Sequence, residues 1–204
     1  MDMVLMDERI RQVFTHSIES QIALVDLLAP QMEQAAARLV QCLLADGKIL
    51  LCGNGRSAAN VAHFSAALLN ASESERPPLP VIALGAEVAA LTSTSAESHH
   101  DHIFARQIQA IGQSNDVLLM FSTSGNANSL LIALQAAHDK GLDTIILNGR
   151  DGGLLASHAG PEDIEIRVPA ARTCRIYETH LLIIHCFCEL IDMALFGVGM
   201  SEES

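Results

Sequence analysis

Apolar residues recur at two different periods along this chain. From about Asp7 to Asp46 they fall three to four apart, first at Ile10, Val13, Phe14, Ile18, Ile22 and Leu24 and then from Met32 to Leu44, which predicts two amphipathic helices. Pro30 is expected at their junction, because proline disfavours a helical conformation in the residue before it and offers no N–H to the ladder. These helices carry no evident chemistry and are expected to pack on a sheet or on another subunit. Beyond residue 46 the pattern changes to short continuous apolar runs: KILLCG, PVIALG, DVLLMF, DTIILNG and DIEIRV. Helical stretches such as SAANVAHFSAALLN and NSLLIALQAAHDKG stand between them, and a long apolar helix runs from about Arg172 to Phe196. Buried strands alternating with helices require parallel pairing, since each crossover lays a helix over one sheet face. The expectation is an α/β fold, a three-layer αβα sandwich of about five parallel strands. A helical extension (about 7–46) precedes a core (about 47–196), within one domain covering 1–204.

Composition narrows the function classes. The chain has 204 residues, 50% hydrophobic and 18% charged, which is ample for a closed core and excludes a disordered or collagen-like class. A formal net charge of −12 argues against direct nucleic-acid binding, because such a surface repels a phosphate backbone. The acidic start MDMVLMDERIRQVF does not resemble a signal peptide, and no apolar run approaches the roughly 18 residues of a membrane span, so a cytoplasmic protein with no membrane partner is expected. Of five cysteines (Cys42, Cys52, Cys174, Cys186, Cys188), only Cys186 and Cys188 are close. A zinc site from that pair is conceivable, but neighbours on opposite sides of an apolar helix read better as small core residues.

Two strand ends share one design, with a small polar loop leading into a helix. Cys52-Gly53-Asn54-Gly55-Arg56-Ser57 follows the first run, and Ser122-Thr123-Ser124-Gly125-Asn126 follows the third. Glycines and hydroxyls at the carboxyl edge of a parallel sheet, before helix N-termini, suit an anion such as phosphate. Ser57 and the Ser122–Ser124 run have a second reading as helix N-caps that serve no ligand. Neither loop has the Gly-Lys-Ser/Thr of a P-loop or a G-x-G-x-x-G fingerprint, so a nucleotide is not the natural ligand. The cluster Ser98-His99-His100-Asp101-His102 reads as a solvated helix start rather than a metal set.

The phrases GNGxS, FSTSGN, NGRDGG and EDIEIRVP resemble the sugar isomerase (SIS) domain, and more narrowly its phosphoheptose isomerase group, over residues 7 to 196. The resemblance implies that Asn54, Ser57, Ser122, Thr123 and Ser124 hold the phosphate of a seven-carbon ketose phosphate. It also implies a helix bearing H-F-x-x-E and a late helix bearing R-I-Q-E-x-H-x-x-x-x-H. Their histidines correspond to His63, His180 and His185, but Ala67 stands where the group has its glutamate base, which some members also use to hold zinc. Tyr177 replaces glutamine, Ala71 an arginine, Ala127 a serine, Ala96 and Glu97 an asparagine and an aspartate, and Arg56 a small residue. Arg56 is placed to compensate by reaching the anion. Glu178 is a conceivable substitute base.

One branch of the same superfamily, the proteins that associate with the replication initiator DnaA, also pairs the histidine with an apolar residue in place of the glutamate. CGNGxSAAN, ERPxLPxIAL and CELIDMALF resemble that branch. The expectation is therefore a non-catalytic adaptor, a homotetramer built as a dimer of dimers. It would present Leu195 and Phe196 to DnaA, keep His63 and His185 as vestiges, and need no cofactor. The alternatives are an active phosphoheptose isomerase, acting on sedoheptulose 7-phosphate and the only reading in which zinc is relevant, a phosphosugar-binding sensor, and a scaffold with a vestigial pocket.

Overall fold

A computed structural model describes residues 3–70, 75–87, 89, 91–93 and 100–197. Helices α1 (Met3–Ile22) and α2 (Val25–Leu44) lead into β1 (Ile49–Gly53), α3 (Ser57–Leu69) and β2 (Val81–Ala83). A 3-10 turn (His100–His102), α4 (Ala105–Ile111), β3 (Val117–Phe121), α5 (Asn128–Lys140) and β4 (Asp143–Gly149) follow. The chain then forms α6 (Gly153–His158), β5 (Ile164–Val168) and α7 (Thr173–Phe196). Ala71, Ser72 and the stretch Thr94, Ser95, Ala96, Glu97, Ser98 and His99 lie outside the described residues.

The five strands form one parallel sheet in the order β2-β1-β3-β4-β5. The alternation of side chains along a strand builds two cores from the continuous apolar runs. Ile49, Leu51, Val117 and Leu119 face one layer, packed under α2, α3 and α7 with Leu39, Phe64 and Phe187. Leu50, Cys52, Leu118 and Met120 face the other, under α4 and α5 with Ile108 and Leu134. The expected α/β sandwich with N-terminal helices is what the chain forms.

Three local expectations are corrected. Pro30 lies inside α2, as its sixth residue, and the break between the helices falls at Ala23 and Leu24. There it forfeits one ladder bond, to the Asp26 carbonyl, and α2 continues because Leu28, Ala35 and Leu39 are buried. Helices α4 and α6, of 7 and 6 residues, are too short to show a period in sequence. The third concerns α7, which is long and apolar enough to cross a membrane, with a mean hydropathy of 1.6. Its Ile176, Ile183, Ile184, Phe187 and Ile191 are instead buried in the core, and Cys188 packs against the same core.

Helix α1 lies outside both cores and is clasped to α7. The Ser17 hydroxyl donates to Glu178 Oε2 at 2.7 Å, and Arg175 pairs with the same carboxylate at 2.8 Å. At the far end of α3, the buried Arg76 donates to the carbonyls of Ala67 and Leu68 and forms an ion pair with Asp192 of α7 at 2.6 Å.

Candidate active site

The connection from β1 leads outward to β2, while β3 leads to β4 on the other side, so the sheet has a switch point between the carboxyl ends of β1 and β3. Crevices at such points are where ligands settle in open α/β sheets. Gly53 and Phe121 are paired there in register, and a Cβ on Gly53 would lie 3.1 Å from both Phe121 Cβ and Ser57 Cβ, so glycine permits this close approach. A cavity of about 550 Å³ opens above them, walled by Gly53, Asn54 and Gly55 on one side and Asn126, Asn128 and Ser129 on the other. Asn54 Nδ2 donates to Ser129 Oγ at 2.8 Å, tying the two loops across the crevice.

The sequence-derived binding residues do not all reach this cavity. Asn54 lines it, whereas Ser57 and Ser122 are buried and Thr123 and Ser124 are half-buried in the adjoining loop. Ser122 Oγ accepts the Gly125 N–H at 2.9 Å, which closes its own loop. The capping alternative for these serines falls away, since Arg56 and Ala127 occupy the N-cap positions of α3 and α5 without side-chain capping bonds. Asn126, Asn128 and Ser129 were missed, although the polar run directly after STSG carried the signal. His100 and Asp101, taken as a solvated helix start, line the cavity as well.

Behind the loop sits a buried support. Gly125 has φ +68°, and a Cβ there would lie 1.8 Å from the Gly152 carbonyl oxygen. Asn148 Nδ2 donates to that same oxygen at 2.8 Å and to Glu165. His180 Nε2 meets the Asn148 carbonyl at 3.1 Å, which makes Nε2 the donor. Burial pushes the His180 pKa down to about 4, so the ring is neutral at pH 7, and its buried Nδ1 has no protein partner.

On the seam between α3 and α7, His63 Nε2 and His185 Nε2 are 3.0 Å apart and their ring centroids 5.1 Å. At that distance one ring nitrogen donates and the other accepts. Ala67, one turn along α3, adds no carboxylate. Glu178 does not substitute for it, being engaged by Ser17 and Arg175. Among the described residues no three His, Cys, Asp or Glu side chains cluster, so this chain's donor set does not fit a zinc ion. The guanidinium of Arg56 lies 5.5 Å over the ring of Tyr177. At the end of α7, Leu195 packs against the core, whereas Phe196 is 37% exposed.

A family model described as SIS domain matches residues 14–149. The chain belongs to the SIS domain family. It is 50% identical over 190 residues to the phosphoheptose isomerase of Halorhodospira halophila, covering 93% of this chain and 96% of that one. Against the phosphoheptose isomerase of Shewanella loihica the identity is 48%, with the same coverage. Among solved structures, the phosphoheptose isomerase of Francisella tularensis superposes with a TM-score of 0.88 at 42% identity, covering 91% of this chain and 97% of that one. The enzyme from Neisseria gonorrhoeae gives 0.86 at 40%, with 92% and 98% covered.

These relatives overturn the expectation of a non-catalytic, DnaA-binding adaptor. That expectation gave decisive weight to the missing carboxylate at Ala67 and to short phrases shared with the initiator-associating branch. The full-length likeness runs instead to SIS domain isomerases, and the histidine pair once regarded as vestigial is assembled.

Proposed function

We propose that this SIS domain protein is a cytoplasmic phosphosugar isomerase of the phosphoheptose class, interconverting sedoheptulose 7-phosphate and the corresponding aldose phosphate. The observation that carries the reading is the His63–His185 pair, whose Nε2 atoms stand 3.0 Å apart on the seam between α3 and α7. Aldose–ketose isomerisation takes a proton from C1 of the ketose and protonates O2, giving an enediol. Protonation at C2 with loss of the O1 proton then yields the aldehyde. Imidazole is suited to both transfers near neutral pH. In this chain the pair takes over the proton transfer that the missing carboxylate would perform, and no step is assigned to a metal.

Asn54, Asn126, Asn128 and Ser129 supply the cavity's polar wall for sugar hydroxyls. Self-assembly belongs to the same reading. On α1 the side chains of Ile10, Phe14, Ile18 and Ile22 are 55 to 70% exposed along one stripe, which favours burial against further copies in the expected homotetramer. Light scattering that gives a tetramer mass, and a smaller species for Phe14→Glu, supports this; a monomer opposes it.

The test is turnover of sedoheptulose 7-phosphate by the purified protein. Wild type converts it, while His63→Ala and His185→Ala each lose about 100-fold or more, in line with removal of a general acid–base group. Wild-type protein without turnover, or both variants with full activity, would contradict the proposal.

A further inference from the structure

The α3–α7 seam carries two cross-pairs rather than one. Arg56 lies over Tyr177, and farther along the same helices His63 meets His185. Seven residues separate the pairs on α3 and eight on α7, a span of about 10 to 12 Å at the rise of an α-helix. We propose that Arg56, steadied on Tyr177, binds the phosphate of the substrate while the histidine pair meets its carbonyl end. The seam thereby gauges the length of the sugar phosphate. This inference rests on the isomerase reading above.

Three observations support it. First, Arg11, Arg38, Lys48, Arg76, Arg167 and Arg175 are each held by a carboxylate, whereas among the described residues none pairs with Arg56, Arg9, Arg150 or Arg172, and of these four Arg56 alone lies in the glycine loop after β1. An aromatic face orients a guanidinium without neutralising it, leaving the edge N–H groups for a bidentate contact to an anion. In a chain of net charge −12, an exposed arginine without a carboxylate partner is a natural point of attraction for a phosphate.

Second, Arg56 directly follows Gly53, Asn54 and Gly55 of the cavity wall, so its backbone stands at the edge of the crevice. Third, the spacing matches the ligand. An extended seven-carbon chain ending in a phosphate ester reaches about 10 Å from carbonyl end to phosphorus, while a five-carbon one reaches about 7 Å. The shorter ligand falls short of that span by about 3 Å or more. Arg56 and Tyr177, which read in sequence as unrelated departures, are thus one device.

Calorimetric titration and steady-state kinetics with sedoheptulose 7-phosphate, ribulose 5-phosphate, unphosphorylated sedoheptulose and inorganic phosphate test the gauge. Wild type should bind the seven-carbon phosphate at least about tenfold more tightly than the five-carbon phosphate or the unphosphorylated sugar. Arg56→Ala should lose about tenfold or more toward the seven-carbon phosphate, mainly as a rise in KM, and gain tolerance of the unphosphorylated ligand relative to it. Tyr177→Gln, which removes the ring beneath the guanidinium, should fall in between. Arg11→Ala, which removes an equal charge from α1, should change nothing. Weak binding of inorganic phosphate that disappears in Arg56→Ala supports the contact; equal binding in both opposes it. Turnover with the same KM in wild type and Arg56→Ala would overturn the gauge and leave the isomerase reading standing. Wild type that neither binds nor converts any of the phosphates would overturn both.

Discussion

His180 offers a quantitative test of the support beneath the loop. Its ring is buried and neutral, donating through Nε2 to the Asn148 carbonyl, and burial pushes its pKa down to about 4 from the ordinary value of about 6.5. The unfolded chain therefore binds a proton at this residue below about 6.5, and the folded chain only below about 4. Folding stability is fully present above 6.5 and is lost as the pH falls toward 4, by about 1.4 kcal/mol per pH unit once past the unfolded value. The loss amounts to about 2 kcal/mol at pH 5 and about 3 kcal/mol near pH 4. His180→Gln keeps an N–H donor and removes the titration. Urea unfolding of both proteins at pH 7.5 and 5.0 isolates the term, because every other ionisable group is common to the two. Wild type should lose about 2 kcal/mol more than His180→Gln between those values. Equal losses would show that His180 is not held neutral, and the reasoning about the buried support would fail.

Other outcomes follow from the same geometry. Gly125→Ala should destabilise the fold by about 2 to 4 kcal/mol, read by denaturant midpoint, because its Cβ would lie 1.8 Å from the Gly152 oxygen at a positive φ. Arg76→Ala should cost about 3 kcal/mol or more in the same assay, since it removes a buried ion pair with Asp192 and the donors to the last carbonyls of α3. Cys174 should be alkylated first of the five thiols in a mass-spectrometric time course. A hydrogen bond from Arg175 lowers its pKa, whereas burial raises those of Cys42 and Cys52; labelling of Cys52 before Cys174 would contradict this.

The parallel strands and the layers were legible in the chain because each strand is a short unbroken apolar run set between helical patterns, a signal that parallel burial forces on a sequence. The loop from Gly53 to Ser57 was legible for its glycines and its position after a strand. What escaped was tertiary in origin. That Ser122 turns its oxygen back onto Gly125, or that Asn128 and Ser129 form the far wall, depends on how two loops meet across the switch point, which no local pattern encodes. Proline 30 misled because its cost depends on distance from the helix start, and that start is fixed by packing of α2. The missing carboxylate at Ala67 misled about function in a similar way. It described one position correctly but was silent on the histidine pair that two distant segments assemble.

The central claim is that the histidine pair moves a proton between the two carbons of a phosphosugar. Solvent deuterium incorporation tests it most directly, with sedoheptulose 7-phosphate incubated in D₂O and carbon-bound deuterium read by NMR. Wild type should place deuterium at C2 of the aldose product and at C1 of recovered ketose, and His185→Ala should slow both by about 100-fold or more. Absence of exchange with wild-type protein, or exchange undiminished in His185→Ala, would contradict the account.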